Sequence, residues 1–416
     1  MLDSWFQAVP AYRLAAFRVV LATTTLCNFL PILSRWLLQG AGSPATTATI
    51  PWVPHLPLPV VVCLLAVGFV AGITLMAGWR PSAAAAYLVA LGIYGYALGN
   101  HSHNGFLHLL LLALVALSTD GLTLQRLVAA NDTAATCPAW PERLLRLQLS
   151  MVYFHTAVDK MFSPAWGVGG LRLSFLTGTR YLPGIALFHH WSLATIGAFP
   201  GLVSVVIIAG EIGLAVGLAV RRLWPYAVAV NIAFALALEF LLLPAMFPWD
   251  LMALMILFLP AADRAYQVHL GTHCGTCQAQ RQVLSALDWT RRLDLSRETE
   301  KGDGLCIETP TGRRFSGWRA VAFLPLALPA PFLSLLILFR FGSRFVGLRV
   351  LGIGLDDFVF VLLGLGAILL LPMADRGVAR ALFERIAPIW NRALCRALRV
   401  GLTRETCPPH RIATTP

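Results

Sequence analysis

The chain has 416 residues, of which 57% are apolar and 12% are charged, against the roughly 25% charge of soluble domains. This composition excludes a water-soluble globule, a disordered chain, a collagen and a secreted disulfide scaffold. The net charge of +12 comes from 32 basic residues, of which only Lys160 and Lys301 are lysine.

Long apolar runs predict an all-α polytopic membrane protein with about ten transmembrane helices. A helix needs about 20 residues to cross the hydrocarbon layer, and these runs are too long for the strands of a membrane barrel. The predicted spans are residues 14–34, 58–78, 83–99, 105–119, 144–162, 200–220, 223–243, 246–260, 320–339 and 355–373. The predicted domains are a transmembrane domain of about eight helices (1–262), a polar segment ending in a Pro-rich apolar helix (263–350), and a last helix with an amphipathic Arg-rich tail (351–416).

Arginine placement predicts how these helices are oriented, because short loops rich in Lys and Arg stay on the cytoplasmic side. Most of the arginines fall in one set of connections, which also includes the 264–319 segment and the tail after 373. The arginines in this set include Arg80, Arg126, Arg143, Arg221 and Arg222. We therefore expect a multi-pass protein of a bacterial-type cytoplasmic (inner) membrane with both termini in the cytoplasm. It should contact membrane lipid and not nucleic acid, and its first span is predicted to be a retained anchor.

The fifth predicted span carries ionisable side chains, which are costly in a bilayer and mark a functional site. Tyr153 and Lys160 share one helix face, whereas His155 and Asp159 lie on the neighbouring face. Further polar candidates follow in later spans: Glu211, Asn231, Glu239 and Asp250. A desolvated lysine becomes a base or nucleophile, a carboxylate partner keeps it protonated, and a lysine at the end of a span can extend to the headgroups. The sequence leaves these alternatives open.

The motif around Lys160 resembles a known family. Its elements are Tyr153-Phe154, Lys160, Trp166 and Gly169-Gly170. They match the Tyr-Phe-x(5)-Lys-x(5,6)-Trp-x-x-Gly signature of the horizontally transferred transmembrane (HTTM) domain, the membrane domain shared with vitamin K-dependent gamma-carboxylases. The resemblance covers roughly residues 10–262. It implies a bundle that binds a quinol of the menaquinol or vitamin K hydroquinone type, used together with O2 and CO2, and an exported protein or peptide as substrate.

In this family the matching lysine is the base that deprotonates the quinol, and the resemblance implies that role for Lys160. The candidate catalytic residues are then Lys160, Tyr153, His155, Asp159, Glu211 and Glu239, and the candidate quinol-binding residues are Trp166, His101 and Asn231. The histidines His101, His103 and His108 are interpreted as polar interfacial residues or quinol contacts. No carboxylate accompanies them in sequence, and no metal site is predicted.

The polar segment contains a Cys-x-x-Cys motif, Cys274 and Cys277, at the start of a helical stretch. A helix N-terminus favours the thiolate, so the pair could be a redox couple. It could also bind zinc with Cys306 and a histidine (His269 or His273), or be structurally idle. The order of this motif, Leu287-Asp-Trp289 and Gly317-x-x-Ala320 resembles a small thioredoxin-like family named for its Asp-Cys-Cys motif. That resemblance implies a small cytoplasmic α/β thioredoxin-like insert with Cys274 and Cys277 as its redox pair.

Three functions follow from these patterns. The first is an integral membrane, quinol-dependent oxidoreductase or carboxylase-like enzyme that uses Lys160 as a base toward the quinol and acts on an unknown substrate at the outer face. The second is a non-catalytic membrane partner in the binding or maturation of an exported peptide. The third is a membrane thiol–quinone redox coupler that uses the cysteine pair.

Overall fold

The structure is a computed structural model, and its described parts are a helical bundle and a small α/β unit that follows it. It describes residues 3–41, 53–98, 103–118, 122–129, 135–163, 199–242, 247–259, 266–271, 275–295, 298–299, 305–310, 312–346, 349–350 and 353–354. The predicted span 355–373 and the Arg-rich tail lie outside these residues.

Helices occupy the positions of the predicted spans within the described residues. They are α1 (Asp3–Phe6), α2 (Tyr12–Thr24), α3 (Leu30–Ala41), α4 (Leu58–Ala77), α5 (Pro81–Ala97), α6 (His103–Leu117), α7 (Leu124–Ala129), α8 (Trp140–Phe162), α9 (Phe199–Ala219), α10 (Trp224–Leu242) and α11 (Phe247–Leu254). A short antiparallel pair, β1 (Ala8–Pro10) and β2 (Thr136–Pro138), joins the chain before α2 to the chain before α8. Proline in the first turn begins α4, α5 and α8, where its missing N–H has no helical partner to lose.

The first long helix is interrupted by a π-helical turn, Thr25–Phe29, between α2 and α3. Pro31 lies two residues after this turn, and a proline ring crowds the carbonyl four residues earlier and cannot donate to it. The helix therefore widens before Pro31 and continues as α3. The hydroxyls of Thr23 and Thr25 donate to the carbonyls of Val19 and Leu21, each at 2.8 Å, which satisfies them inside the apolar bundle.

Two helices in the described ranges are both long and apolar enough to cross a membrane, Tyr12–Gln39 and Leu58–Ala77. Shorter apolar helices run through Gly105–Leu117, Ser204–Ala219, Tyr226–Leu236 and Phe247–Phe258. The last of these includes a 3-10 turn, Met255–Phe258, which extends α11. These findings support a helical membrane protein, whereas the predicted number of ten spans stays a prediction.

The predicted span 320–339 is two helices in the structure, α13 (Trp318–Ala327) and α14 (Pro329–Val346). Their apolar parts meet at an angle of 81°. Pro325 lies inside α13 and Pro329 begins α14, and each removes a backbone donor from the region of the bend. By length and composition the pair is a candidate for one broken span or a re-entrant segment.

Close helix packing in the bundle depends on glycine. A Cβ atom added at Gly92 in α5 would lie 2.2 Å from Leu109 Cδ2 in α6, and one added at Gly95 would lie 2.5 Å from Leu33 Cδ1 in α3. Only hydrogen at these positions lets leucine side chains approach the α5 backbone, as small residues commonly do between membrane helices.

Basic side chains tie the helices together at one end of the bundle, which we call the arginine-rich end. The Arg146 Nε donates to the Leu257 carbonyl at 2.8 Å, and its guanidinium lies 4.6 Å from the ring centre of Trp224. Arg146 also forms an ion pair with Glu142, and Arg13 lies 3.4 Å from the same carboxylate. This end therefore joins α2, α8, α10 and the turn after α11.

The chain after the bundle forms a small α/β unit. Its elements are β3 (Tyr266–Gly271), α12 (Gly275–Leu287), β4 (Leu293–Asp294), β5 (Glu298–Thr299), β6 (Cys306–Glu308) and β7 (Arg314–Ser316), followed by α13. The strand order is β4-β3-β6-β7, with β3 parallel to β4, β6 antiparallel to β3 and β7 antiparallel to β6; β5 also pairs with β3. Helices α12 and α13 contribute Leu284 and Phe323 to one core with Val268, Ile307 and Phe315. A short strand pair, β8 (Arg349–Val350) and β9 (Ile353–Gly354), follows α14.

Candidate functional site

Lys160 on α8 forms an ion pair with Glu211 on α9, inside the bundle. The Nζ atom lies 2.8 Å from Glu211 Oε1 and 3.0 Å from Oε2. The Lys160 side chain is 14% exposed and that of Glu211 is 5% exposed, so water has little access to either group. Of the three sequence-level alternatives for Lys160, this geometry is that of a lysine with a carboxylate partner.

Tyr153 lies two turns earlier on the same face of α8, as the spacing predicts. Its side chain is buried, and its hydroxyl donates to Asn231 Oδ1 on α10. The Asn231 amide nitrogen lies 3.4 Å from the Leu251 carbonyl oxygen on α11, to which it can donate. Three helices therefore meet at one buried polar contact. Phe234 packs edge-on against the Tyr153 ring, with centroids 5.9 Å apart.

Helices α8 and α9 are held together along this face by a second polar contact. The Ser150 hydroxyl donates to the Ala215 carbonyl at 2.6 Å, and both residues are buried. Thr156 lies between Tyr153 and Lys160, and its hydroxyl donates to the Tyr153 carbonyl at 3.1 Å. The polar side of α8 thus faces the α9 and α10 helices in a row from Ser150 to Lys160.

The other predicted site residues are not brought to this pair by the described part of the chain. His155 and Asp159 are exposed, on the side of α8 that also exposes Met151 and Phe154. Glu239 lies in α10 and Cys277 lies in α12, with side chains outside what the structure describes, while His101, Trp166 and Cys274 lie wholly outside it. Among the described residues no group of three His, Cys, Asp or Glu side chains is arranged to hold a metal ion.

The structure contains a second buried polar cluster that the sequence reading did not assemble. His108 on α6 places Nδ1 2.9 Å and 3.0 Å from the two carboxylate oxygens of Asp250 on α11, and places Nε2 3.0 Å from the Thr25 hydroxyl. The side chains of His108 and Asp250 are 0% exposed, and Phe29 packs on the His108 ring at 4.7 Å. The sequence showed only that each of three apolar spans carries a polar residue. Thr25 and His108 are 83 residues apart, and His108 and Asp250 are 142 apart, so no local spacing pattern connects them.

An apolar cleft lies between α10, α11 with the turn after it, α13 and α14. Ile232 and Met252 line it, and each directly follows in sequence a residue of the Tyr153–Asn231–Leu251 contact. The rest of the lining is aliphatic and aromatic, and comes from Leu236, Met255, Ile256, Leu259, Pro325, Pro329, Phe332, Leu333 and Leu336. The cleft has the chemistry of a hydrocarbon-binding surface.

Apolar helices with ionisable side chains buried between them define the class of this protein, a helical integral membrane protein with an intramembrane polar site. The HTTM domain family model matches residues 6–262, which include both buried clusters. The chain belongs to the HTTM domain family, whose membrane domain is that of the vitamin K-dependent gamma-carboxylases. No curated protein and no solved structure matches the chain.

Proposed function

We propose that the Lys160–Glu211 pair is the proton-handling site of a quinol-dependent membrane enzyme, with Lys160 Nζ as the base. The observation that carries the proposal is an amine and a carboxylate in direct contact, both shielded from water, in a bundle of the gamma-carboxylase type. Such pairs are rare within membrane spans and mark functional sites by default.

The pair can carry its shared proton in two forms. Ammonium with carboxylate and amine with carboxylic acid have the same proton count and no net charge. Low dielectric disfavours the charged form, while the contact at 2.8 Å favours it. In the amine form Glu211 carries the shared proton, and Lys160 Nζ accepts a proton from a quinol hydroxyl when that hydroxyl replaces the Glu211 O–H as the donor to its lone pair.

The chemistry of the pair and the chemistry of the apolar cleft each match a part of a quinol. Nζ and the Glu211 carboxylate suit a ring hydroxyl, and the apolar cleft lined by Ile232 and Met252 suits a hydrocarbon ring or chain. When bound, a quinol would supply two reducing equivalents, with O2 as the oxidant. Tyr153 and Asn231 would hold and orient it through their hydrogen bond, and Trp166, His101 and Glu239 stay predicted contributors.

The proposed location follows from the distribution of charge. Arg13 and Arg146 lie at one end of the bundle, which the rule for basic loops places in the cytoplasm of a bacterial-type inner membrane. The proposed substrate, an exported protein or peptide, would then be met at the outer face, with CO2 as a co-substrate if carboxylation occurs.

The test is oxygen uptake by detergent-purified protein supplied with menadiol or menaquinol. General-base catalysis contributes about 10²–10⁴-fold, so Lys160→Ala should lower turnover at least about 100-fold. Glu211→Gln should lower it as well, since glutamine cannot carry the proton that the pair shares. Lys301→Ala, which changes the only other lysine of the chain, should retain wild-type turnover. Equal rates for Lys160→Ala and wild type would refute the assignment.

A second function, thiol–quinone coupling, is favoured by the α/β unit. Strand β3, helix α12 and strand β4 form a parallel strand–helix–strand unit, with the hairpin β6–β7 added antiparallel. The Cys-x-x-Cys motif lies where β3 leads into α12, the position that favours a thiolate through the helix dipole. This arrangement supports the proposal of a thioredoxin-like insert with Cys274 and Cys277 as its redox pair.

Maleimide labelling distinguishes the redox pair from a zinc site and from idle cysteines. After treatment with a quinone, a redox pair should lose labelling at Cys274 and Cys277 and regain it with dithiothreitol. Zinc release upon labelling would instead support a metal site. Labelling that is unchanged by quinone, with no zinc present, would indicate that neither function exists.

A further inference from the structure

The cluster of Thr25, His108 and Asp250, which we call the clamp, has no role in the proposed chemistry. We infer that the clamp positions Tyr153, by fixing the first turn of α11 and with it the Leu251 carbonyl that orients Asn231. The inference rests on the proposed function only in treating Tyr153 as part of the site.

Hydrogen-bond counting determines the protonation of the clamp. The Thr25 hydroxyl has one proton and lies 2.8 Å from the Leu21 carbonyl, an acceptor that can only receive it. The neighbouring Thr23 makes the same bond to Val19 at 2.8 Å. His108 Nε2, 3.0 Å from the Thr25 oxygen, must then be the donor in their contact.

The other ring nitrogen, Nδ1, faces both oxygens of Asp250, and one proton lies between these groups. The clamp is therefore either imidazolium with carboxylate or imidazole with carboxylic acid, and it has no net charge in either form. A neutral unit is what a fully buried site requires, because an uncompensated charge there costs several kcal/mol.

The clamp is connected to Tyr153 through the backbone of α11. Asp250 lies in the first turn of this helix, and Leu251 is the next residue. The Leu251 carbonyl receives the Asn231 amide, and Asn231 Oδ1 receives the Tyr153 hydroxyl. Slipping α11 by one residue would rotate it by about 100° and shift it by about 1.5 Å, which would break the bond from Asn231. Asp250 opposes this slip because both of its oxygens are held by His108.

The Leu251 carbonyl accepts only from the NH2 group of Asn231, and it therefore favours the amide orientation that turns Oδ1 toward Tyr153. A flipped amide would present its NH2 group to Tyr153 and remove the acceptor of the phenol proton. The clamp thus acts as a positioning unit that keeps Tyr153 a hydrogen-bond donor to α10.

The test is the ¹⁹F resonance of 3-fluorotyrosine placed at position 153 in the full-length, detergent-purified protein. This signal reports the hydrogen bond of the phenol and requires no turnover, so it is independent of whether the proposed enzyme activity exists. Asn231→Leu gives the reference position for a phenol without its acceptor. Asp250→Asn and His108→Asn should move the resonance toward that reference, and Thr25→Val should move it in the same direction by less.

Thr24→Val is the matched control, because Thr24 is equally buried and its hydroxyl donates to Val20 within its own helix. It should leave the resonance in place. If Asp250→Asn fails to fold, Thr25→Val against Thr24→Val decides alone. A wild-type resonance in folded Asp250→Asn or Thr25→Val, or an equal displacement in Thr24→Val, would overturn the inference.

Discussion

Lys160 Nζ lies 2.8 Å from Glu211 Oε1, although 51 residues separate the two in sequence. Helices α8 and α9 bring them together, and the bundle shields both from water. Because desolvating two charges offsets most of their attraction, the pair is expected to contribute little net stability and to be costly to break on one side only.

The first prediction follows from that asymmetry. Glu211→Leu should destabilise the protein by about 3–5 kcal/mol, since it leaves an uncompensated ammonium among apolar helices. Lys160→Met combined with Glu211→Leu should recover most of this loss. The apparent melting temperature in detergent measures both effects, with Asp159→Asn as an exposed control on the same helix. A double variant no more stable than Glu211→Leu would contradict the prediction.

Helix packing at Gly92 gives the second prediction. Alanine there would place its Cβ 2.2 Å from Leu109 Cδ2 and 3.1 Å from Leu109 Cγ, so α5 and α6 must separate or Leu109 must leave its position. We expect Gly92→Ala to destabilise the protein by about 1–3 kcal/mol. Gly213→Ala in α9, whose added Cβ meets nothing within 4 Å, should be neutral or stabilising by up to about 1 kcal/mol. Melting curves in one detergent compare them, and equal effects would argue against a packing role for Gly92.

The third prediction concerns the contact between the α/β unit and the bundle. Arg291, in a left-handed conformation with φ of 54°, donates through Nη2 to the Leu127 carbonyl on α7 at 2.9 Å. Arg291→Gly keeps that backbone conformation accessible and removes only the side chain. It should speed hydrogen exchange in residues 124–129 at least about tenfold, since a bond from a charged donor contributes about 1.5–3 kcal/mol. Arg319→Gln, at an exposed position on α13, is the control and should leave that exchange unchanged. Unchanged exchange in Arg291→Gly as well would show that the contact does not contribute.

The fourth prediction is a pH dependence in the hairpin β6–β7. The Arg314 guanidinium, 2.8 Å from Glu308 Oε2, lowers the pKa of the Glu308 carboxyl below its usual 4.5, and His269 contributes in the same direction. A folded-state pKa below the unfolded value means that the stabilisation is complete above about pH 4.5 and is lost as the pH falls through the lowered value. Protection of the hairpin against hydrogen exchange should decline over that range.

Glu308→Gln isolates this group, because glutamine keeps the shape and does not titrate. In this variant the decline below pH 4.5 should be shallower, and protection at pH 7 should be lower than in wild type. Identical pH profiles for the two proteins would show that Glu308 does not contribute.

Asp288, in the turn after α12, should behave in the opposite sense. Burial raises the pKa of its carboxyl, although the backbone N–H groups of Arg292 and Leu293 donate to it at 2.8 Å and 2.7 Å and lower the pKa in part. The folded state therefore retains this proton to a higher pH than the unfolded chain, and the contribution of Asp288 to stability grows as the pH falls through its raised pKa.

The sequence by itself determined the helical membrane class, the positions of the long apolar helices of the bundle in the described residues and the family, because hydrophobic length and local motif spacing are properties of consecutive residues. It also placed Tyr153 and Lys160 on one face of α8, since helical periodicity needs no tertiary information. The same periodicity could not show that the neighbouring face, with His155 and Asp159, stays exposed in the described structure.

Only the tertiary structure decided which polar residues meet. Glu211 became the partner of Lys160, Asn231 the partner of Tyr153, and His108 joined Asp250 and Thr25 in a cluster that no spacing indicates. The angle of 81° between the apolar parts of α13 and α14 was likewise not given by the sequence, in which Pro325 and Pro329 mark only that the predicted span is interrupted. The physical reason is that each buried polar group in an apolar bundle needs a hydrogen-bonding partner. Which residue becomes that partner depends on which helices are neighbours, and this is decided by packing across the whole chain.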